Sequence, residues 1–294
     1  MAGASHCDWA AYGTLGLQSN AGNPLGRFPV FERLFLGTGL SVGSSILDDT
    51  AIIAMAPRSF WKSSPRTPTE RGIIADYKHA LAYATKRFPD ASIVLYGHSL
   101  GGSIAICLGA VLKSADYPNI KGIILENPFA SIPGMVKALY PQRWLPYHYL
   151  GKFAFDKWDA LSALQNAKPS SLLYRLSTKI LVIVSKKDEV VPNEMGISLF
   201  NAAAERIRDE SCTSELDTAR GNLPRLVNIR GALHEDAWKE TLWRREVELL
   251  SMIVMVIKPR GPWWNPQRMV NPVDKGMLFI SQTPQLGRSG SPWT

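Results

Sequence analysis

The chain has 294 residues, of which 46% are hydrophobic and 20% charged, and this composition excludes disorder of the whole chain. The net charge is +8, and much of the excess lies after Ile257, whereas no basic stripe with interleaved aromatic residues occurs elsewhere. We therefore expect a solvated basic surface, and nucleic acid is not an expected partner.

The first third of the chain carries both weak and strong signals for regular structure. A weak strand is predicted at Tyr12–Leu17, a short helix at Arg27–Phe35 and a buried strand at Ala51–Ala56. A longer helix, running to about Phe88, is predicted from the start signal Thr67-Pro68-Thr69-Glu70, because proline is favoured at the first helical position and glutamate three residues after a threonine completes a capping box.

A clear alternation of strands and helices follows. The strands are apolar without a polar–apolar alternation, and helical sequence separates them. Such strands indicate an α/β fold, with a mostly parallel sheet and helices on both of its faces. The predicted elements are the strands Ser92–Tyr96, Lys121–Leu125, Lys179–Val184 and Pro224–Ile229 and the helices Ser99–Ser114, Pro192–Arg208 and His234–Lys258.

Two segments depart from this alternation. Residues 128–167 contain eight aromatic residues and are predicted to form a helical cap over the carboxyl edge of the sheet. An ordinary helical packing layer is the alternative, because aromatic side chains stabilise any core. Residues 259–294 contain six prolines, four glycines and no periodicity, which predicts an irregular basic tail after one domain of residues 1–258.

One motif carries a clear chemical signal. Gly97-His98-Ser99-Leu100-Gly101 matches G-x-S-x-G between a predicted strand and a predicted helix, the context in which a nucleophilic serine is exposed on a sharp turn. Small residues are needed two positions on either side, because the turn is crowded. The Leu100 amide is placed to donate to a developing oxyanion. A serine that only caps the helix is the alternative.

A nucleophilic serine needs a base and an acid that orients the base, and here they are expected in the order serine, acid, histidine. Asp188 lies just past a predicted strand, where parallel sheets place functional groups. The alternatives are that Asp188 caps the next helix or that Glu189 takes its role. His234 follows the next strand and is the only histidine after Asp188, with capping of the last helix as its alternative.

Several segments together resemble the BEM46-type α/β-hydrolases, a group that also includes the ABHD13-like proteins. The resemblance implies the α/β-hydrolase fold and a serine-hydrolase triad of Ser99, Asp188 and His234. The matching segments span roughly residues 20 to 258 and are NAGNPLG at 20–26, FWKSSPRTP at 60–68, YGHSLGG at 96–102, SKKDEVVP at 185–192 and GALHEDAW at 231–238.

The chain departs from this family at three places. The oxyanion loop, which supplies a second amide at Asn20, is expected to begin with His-Gly, but Gln18 and Ser19 stand there. The Tyr-Arg-Gly turn of the family reads Pro57-Arg58-Ser59. The early strands are expected to be missing, since only about twenty residues precede Asn20, and nothing resembles the family after Lys258. We therefore expect both ends to be truncated or aberrantly spliced.

The expected function is hydrolysis of an ester, thioester or amide through an acyl-enzyme on Ser99, with a small molecule, an acyl lipid or an acylated protein as the substrate. A catalytically impaired relative that acts as a binding or scaffold protein is the alternative, because of Gln18 and Ser19. A weaker hypothesis is peripheral membrane contact through a basic tail that contains Trp263, Trp264 and Trp293. No motif predicts a metal or a cofactor.

The sequence is less informative about compartment and assembly. Cys7, Cys107 and Cys212 are too widely spaced for a disulfide framework or a C-x-x-C site. The first twenty residues lack Lys and Arg and have no long apolar run, so we expect neither a signal peptide nor a spanning helix there. The localisation and the oligomeric state are left open.

Overall fold

A computed structural model describes residues 12–17, 24–35, 50–209, 224–255 and 277–281. Within them, seven strands form one sheet in the order β6-β5-β4-β3-β1-β2-β7. The predictions for Gln18, Ser19 and Asn20 lie outside the described residues. The strands are β1 (Tyr12–Leu17), β2 (Thr50–Met55), β3 (Ser92–His98), β4 (Ile120–Glu126), β5 (Ile180–Ser185), β6 (Arg225–Ile229) and β7 (Met277–Ser281).

The first six strands are all parallel to one another, as the apolar strand pattern predicts. The central strands β3 and β5 are buried along their whole length, which is the reason that no polar residue alternates with the apolar ones. The weak strand signal at Tyr12–Leu17 is confirmed, since β1 lies between β2 and β3.

Helices cover both faces of this sheet, as predicted. The helices are α1 (Phe28–Phe35), α2 (Glu70–Arg87), α3 (Leu100–Val111), α4 (Ile132–Leu139), α5 (Tyr147–Leu150), α6 (Ala160–Gln165), α7 (Leu172–Leu176), α8 (Asn193–Asp209) and α9 (Thr241–Met255). Among the described helices, none is long and apolar enough to cross a membrane.

Two apolar cores, one on each face, hold the three layers together. Leu95 of β3 and Val182 of β5 point into the first core, where they join buried residues of α2, α3 and α8. Val94 and Leu181, each one position earlier along the same strands, point into the second core with α1 and α9. Successive residues of one strand therefore serve opposite cores, which is expected for a sheet buried on both faces.

The seventh strand lies where the sequence predicts an irregular tail. Met277–Ser281 pairs antiparallel with β2, with Ile280 opposite Ile52 and Leu278 opposite Ala54. The segment MLFIS is too short and too isolated among prolines and glycines to give a periodic signal. Its strand conformation depends on pairing with a strand more than two hundred residues earlier, at an otherwise unpaired edge of the sheet.

The start of α2 differs slightly from its prediction. The helix begins at Glu70 with Thr69 as its N-cap, and the Thr69 hydroxyl accepts a hydrogen bond from the Gly72 amide at 3.2 Å. The Glu70 carboxylate accepts the amides of Lys157 and Trp158 at 3.0 and 2.9 Å. Glu70 is therefore used to hold a distant segment and not to close a capping box.

Replacing the cap residue gives a direct test of this helix start. Thr69→Ala is expected to lower the free energy of unfolding by about 1 kcal/mol, because an amide of the first turn loses its acceptor. Thr67→Ala, two residues earlier, is the matched control and is expected to change it by much less. Urea unfolding of both variants measures the difference, and equal losses would contradict the assignment of the cap.

Candidate active site

The first component of the site is a strained turn at Ser99, between β3 and α3. Ser99 has φ 54° and ψ −119°, a conformation that is costly for a residue with a side chain. Its hydroxyl makes no capping hydrogen bond to the helix, which disfavours the alternative that Ser99 is only a helix cap. Its amide donates to the Glu126 carbonyl at 2.9 Å, so the turn is tied to the end of β4.

Gly97 is what permits this turn. A Cβ atom placed on Gly97 would lie 2.3 Å from the carbonyl oxygen and 2.5 Å from the carbonyl carbon of Gly101. These are backbone atoms, which cannot rotate away as a flexible side chain would. The turn therefore requires glycine at position 97, because any side chain there would overlap the backbone of Gly101.

The second component is an acid–histidine pair. Asp188 follows β5, His234 follows β6, and the His234 Nδ1 lies 2.7 Å from the Asp188 Oδ2. Their side chains are only 1% and 5% exposed, respectively. The other Asp188 oxygen accepts the amides of Val190 and Val191 at 2.8 and 2.7 Å. Both carboxylate oxygens are thus engaged, and an Nδ1–H donor leaves Nε2 of a neutral imidazole as its basic nitrogen.

The alternatives raised for this pair differ in their geometry. The Glu189 carboxylate accepts the backbone amide of His234 at 3.0 Å, so Glu189 holds the histidine loop while Asp188 binds the ring. The helix after Asp188 begins only at Asn193, and the helix after His234 only at Thr241. Neither Asp188 nor His234 is therefore an N-cap residue of the following α-helix.

Ser99, Asp188 and His234 all follow the carboxyl ends of parallel strands, so they lie at one edge of the sheet. His98, next to Ser99, has its ring centroid 4.7 Å from that of His234, which brings the serine turn beside the histidine. Among the described residues, no hydrogen bond joins the Ser99 hydroxyl to the His234 imidazole. Apo enzymes often have such long catalytic contacts.

The Leu100 amide has the location that oxyanion binding needs. Leu100 is the first residue of α3, where backbone N–H groups have no acceptor within the helix and carry the positive end of the helix dipole. The second predicted donor, Asn20, lies outside the described residues.

No sequence pattern predicts a role for Asn127, which contributes to the site. It is 2% exposed and has φ 46° directly after β4. Its Oδ1 accepts the Ser185 amide at 2.7 Å, and its Nδ2 donates to the Ser185 hydroxyl at 3.0 Å and to the His234 carbonyl at 2.8 Å. Asn127 therefore connects the end of β5, three residues before Asp188, to the loop that carries His234.

His98 reinforces the same loop. Its Nε2 lies 2.9 Å from the His234 carbonyl oxygen, so this carbonyl accepts hydrogen bonds from both Asn127 and His98. Burial, with the positive charge of Arg27 nearby, holds the pKa of His98 well below its usual range. A neutral His98 with its proton on Nε2 fits this bond, and its Nδ1 has no partner among the described residues. From its position next to Ser99, the His98 side chain is expected to point away from the reaction centre, and nothing in the local sequence predicts its bond to the histidine loop.

Glu126, the last residue of β4, places a buried carboxyl one position before Asn127. Glu126 is fully buried, and its Oε2 accepts hydrogen bonds from the Tyr96 hydroxyl and from the Nε1–H of Trp243 near the start of α9, the latter at 2.8 Å. Burial raises the pKa of Glu126, although the positive charge of Arg27 opposes the shift. Glu126 thus connects the helix layer on this face to the strand that carries Asn127.

One group of side chains has the composition of a metal site. Potential ligand atoms of His98, His234 and Glu235 lie within 4.8 Å of one another. However, the Glu235 carboxylate already pairs with the Arg27 guanidinium at 3.0 Å, and this positive charge opposes a cation there. One nitrogen of each ring is also engaged, since His234 Nδ1 binds Asp188 and His98 Nε2 binds the His234 carbonyl.

Comparisons with known proteins agree with this fold. The family profile for serine aminopeptidase, S33 (Hydrolase_4), matches residues 65–172. Protein bem46 of Schizosaccharomyces pombe is 28% identical over 184 residues, which cover 62% of this chain and 53% of that protein. The lysophosphatidylserine lipase ABHD12 of Bos taurus is 32% identical over 146 residues, which cover 49% of this chain and 36% of that one.

Solved structures support the fold alone, because their sequence identity is low. Est1E from Butyrivibrio proteoclasticus, solved with ferulic acid bound, has a TM-score of 0.56 at 16% identity and covers 84% of this chain and 91% of its own. A soluble variant of monoglyceride lipase from Saccharomyces cerevisiae has a TM-score of 0.54 at 14% identity, with 84% and 88% covered.

The sheet order and the serine turn at its carboxyl edge define an α/β-hydrolase fold. Within that class, the chain is similar to the BEM46-type hydrolases, on the matches to bem46 and ABHD12 given above. It spans about half or less of the length of the curated relatives described above, at 53% and 36%.

The close approach of Gly97 to Gly101 predicts a large effect of a single methyl group. Gly97→Ala is expected to lower the free energy of unfolding by more than about 3 kcal/mol, because backbone atoms must move. Gly26→Ala is the matched control, since a Cβ on Gly26 would meet no atom within 4 Å. Urea unfolding compares the two variants, and a Gly97→Ala protein as stable as the control would refute the assigned turn.

The buried Glu126 predicts a pH-dependent stability difference. A carboxyl with a raised pKa in the folded state keeps its proton when the unfolded chain has lost it, so its stabilisation is greatest at low pH and is lost as pH rises. Glu126→Gln should therefore gain stability relative to the wild type as pH rises above about 4.3, the usual glutamate pKa. Glu32→Gln, at an exposed position of α1, is the control. Urea unfolding at several pH values measures the free energy of unfolding of each variant relative to the wild type. A difference for Glu126→Gln that stays constant with pH, like that of the control, would contradict the prediction.

Proposed function

We propose that this chain is a serine hydrolase in which Ser99 is the nucleophile, His234 the general base and Asp188 the residue that orients His234. The observation that carries the proposal is the buried Asp188–His234 hydrogen bond of 2.7 Å at the sheet edge that also presents the strained Ser99 turn. The three residues follow three separate strands, in the chain order expected for this fold.

The proposed reaction proceeds in two halves. The Ser99 oxygen attacks the acyl carbon of an ester, thioester or amide while its proton passes to His234 Nε2. The tetrahedral intermediate collapses, the bond to the leaving group breaks, and His234 returns the proton to that group. Water then attacks the acyl-enzyme and gives one proton to His234. The second tetrahedral intermediate collapses, the bond to the Ser99 oxygen breaks, and His234 returns the proton to that oxygen as the acid leaves. Asp188 stabilises the imidazolium that forms twice in this cycle.

The negative oxygen of each tetrahedral intermediate needs hydrogen-bond donors. The Leu100 amide at the positive end of α3 is the proposed first donor, and Asn20 the proposed second. Removing one such donor typically lowers kcat by on the order of 10²–10³-fold. Gln18 and Ser19 precede Asn20 where the family has His-Gly, and they support the competing proposal of an impaired enzyme that binds without efficient turnover.

The proposed substrate class is a small ester or an acyl lipid. Two observations support it: Leu233 and Val190, beside His234 and Asp188, are exposed apolar residues, and a relative is named as a lysophosphatidylserine lipase. An apolar acyl chain could pack against such side chains without burying unpaired polar groups. The proposal does not extend to a particular head group or chain length.

Labelling by a fluorophosphonate tests the nucleophile. The probe should modify the wild type and fail to modify Ser99→Ala, because only an activated serine reacts readily. His234→Asn should lose labelling as well, whereas the control His79→Asn, at an exposed position of α2, should retain it. Circular dichroism verifies that each variant is folded. A folded wild type that remains unlabelled would favour the impaired alternative.

Asn127 is expected to act as a positioning residue for His234. Asn127→Asp can still accept the Ser185 amide but loses the amide donor to the His234 carbonyl and places a carboxyl against that carbonyl. We expect each folded Asn127→Asp molecule to react with the probe about tenfold or more slowly, because small misplacements of a base are costly. Ser185→Ala, which removes the other acceptor of the same amide group, is the matched control and should react faster than Asn127→Asp.

The rate per labelled molecule separates positioning from folding. A variant that only misfolds would show a smaller labelled fraction with an unchanged rate constant, whereas a displaced base lowers the rate constant itself. An unchanged rate constant for Asn127→Asp would remove Asn127 from the positioning network.

A further inference from the structure

The segment between α4 and Trp158 exposes an unusual apolar surface. We name it the aromatic face. Its most exposed residues are Phe155, Trp144 and Phe153, at 102%, 81% and 75% exposure. The face consists of Leu139, Tyr140, Trp144, Tyr147, Tyr149, Leu150, Phe153 and Phe155.

This concentration is not a general property of the surface. Sixteen large hydrophobic residues are exposed among the described residues, and eight of them lie within residues 139–155. Single exposed apolar residues are common, but a group of them in one segment marks an interaction site. The aromatic face is therefore a candidate interaction surface.

The face is held in a defined shape by its own contacts. The rings of Tyr140 and Tyr147 lie 5.3 Å apart, and the Tyr149 hydroxyl donates to the Arg143 carbonyl at 3.0 Å. Gly151 packs directly on Pro133, since a Cβ at Gly151 would lie 2.7 Å from the Pro133 Cα. These contacts join α4, α5 and the turn after them, so the exposed rings do not belong to an unstructured loop.

The charges around the face have one sign. Residues 137–157 contain four exposed basic residues and a single acidic residue, Asp156. The Asp156 carboxylate accepts the Glu70 amide at 2.7 Å and is therefore engaged at the start of α2. The side chains that remain to face a partner are cationic. They are Lys137, Arg143, Lys152 and Lys157.

From this combination we infer that the aromatic face docks on an anionic lipid bilayer. Tryptophan, tyrosine and phenylalanine are stable at the level of lipid head groups, and lysine and arginine beside them attract anionic phospholipids. Trp144, Phe153 and Phe155 enter the interface, while Arg143 and Lys152 contact head groups. Charge complementarity selects this partner, because a second copy of the chain would place cations against cations.

Docking would also hold the candidate active site near the membrane. The segment leaves the sheet at Pro128, directly after β4, and this is the same edge at which Ser99 follows β3. The inference goes beyond the proposed function and does not require catalysis, so a chain that lacks Ser99 should dock equally well.

Vesicle flotation with the whole chain carrying Ser99→Ala tests the inference. The protein should float with phosphatidylserine-containing vesicles and much less with pure phosphatidylcholine, and added salt should weaken the binding. The triple variant Trp144→Ala, Phe153→Ala, Phe155→Ala should bind at least about tenfold more weakly. The matched control Leu25→Ala, Val111→Ala, Leu242→Ala removes exposed apolar side chains elsewhere and should bind as before.

A second pair of variants separates the face from the basic carboxyl-terminal segment. Arg143→Glu with Lys152→Glu should weaken binding to the anionic vesicles, whereas the matched charge reversal Arg260→Glu with Arg268→Glu in the basic tail should leave most of it. Retained binding in the triple variant, or a loss of binding only on reversal of Arg260 and Arg268, would overturn the inference. So would a folded parent that binds neither kind of vesicle. Self-association in sedimentation velocity that the triple variant abolishes, without vesicle binding, would assign the face to a second copy instead.

Discussion

The reversal of the chain at Ser99 is the constraint on which the rest of the candidate site depends. A φ of 54° on a residue with a side chain costs of order 1–3 kcal/mol and persists only where the surroundings enforce it. Here β3 is buried between β1 and β4, and most of α3 is buried as well, so neither element can shift to relax the turn. The close approach of Gly97 to Gly101 then leaves the serine hydroxyl at the carboxyl edge of the sheet.

Loops from three further strands must be brought to that turn, and buried polar groups do this. Asn127 binds both Ser185 and the His234 carbonyl, and Glu126 beside it binds Tyr96 and Trp243. Burying such groups is costly unless they are hydrogen-bonded, and the Asn127 amide has partners for both its oxygen and its nitrogen. Buried hydrogen bonds of this kind specify one arrangement of the chain. The network joins the acid loop to the histidine loop through the His234 carbonyl and leaves the side chains proposed to react free for catalysis.

The aromatic residues of the segment after β4 divide into two kinds with different consequences. Phe129 and Trp158, near its two ends, are 5% and 4% exposed and anchor it in the core. Trp144, Phe153 and Phe155, between them, face outward beside exposed lysines and an arginine. The sequence offers a cap or an ordinary packing layer for the whole segment, because aromatic content alone does not say which rings are buried. The buried ends fix the segment to the core, and the exposed middle forms the surface proposed to bind a partner.

The sequence by itself determined the parallel α/β architecture, the serine turn and the choice of Asp188 and His234 as its proposed partners. Those signals are local, since an apolar strand, the spacing G-x-S-x-G and a polar residue just past a strand are each visible within a few positions. Tertiary structure alone decided the roles of Asn127 and His98, the pairing of Met277–Ser281 with β2, and the exposure of the aromatic face. Asn127 and His234 are more than a hundred positions apart, and no sequence period reports such a bond. Burial and pairing depend on which distant surfaces meet, and only the folded chain brings them together.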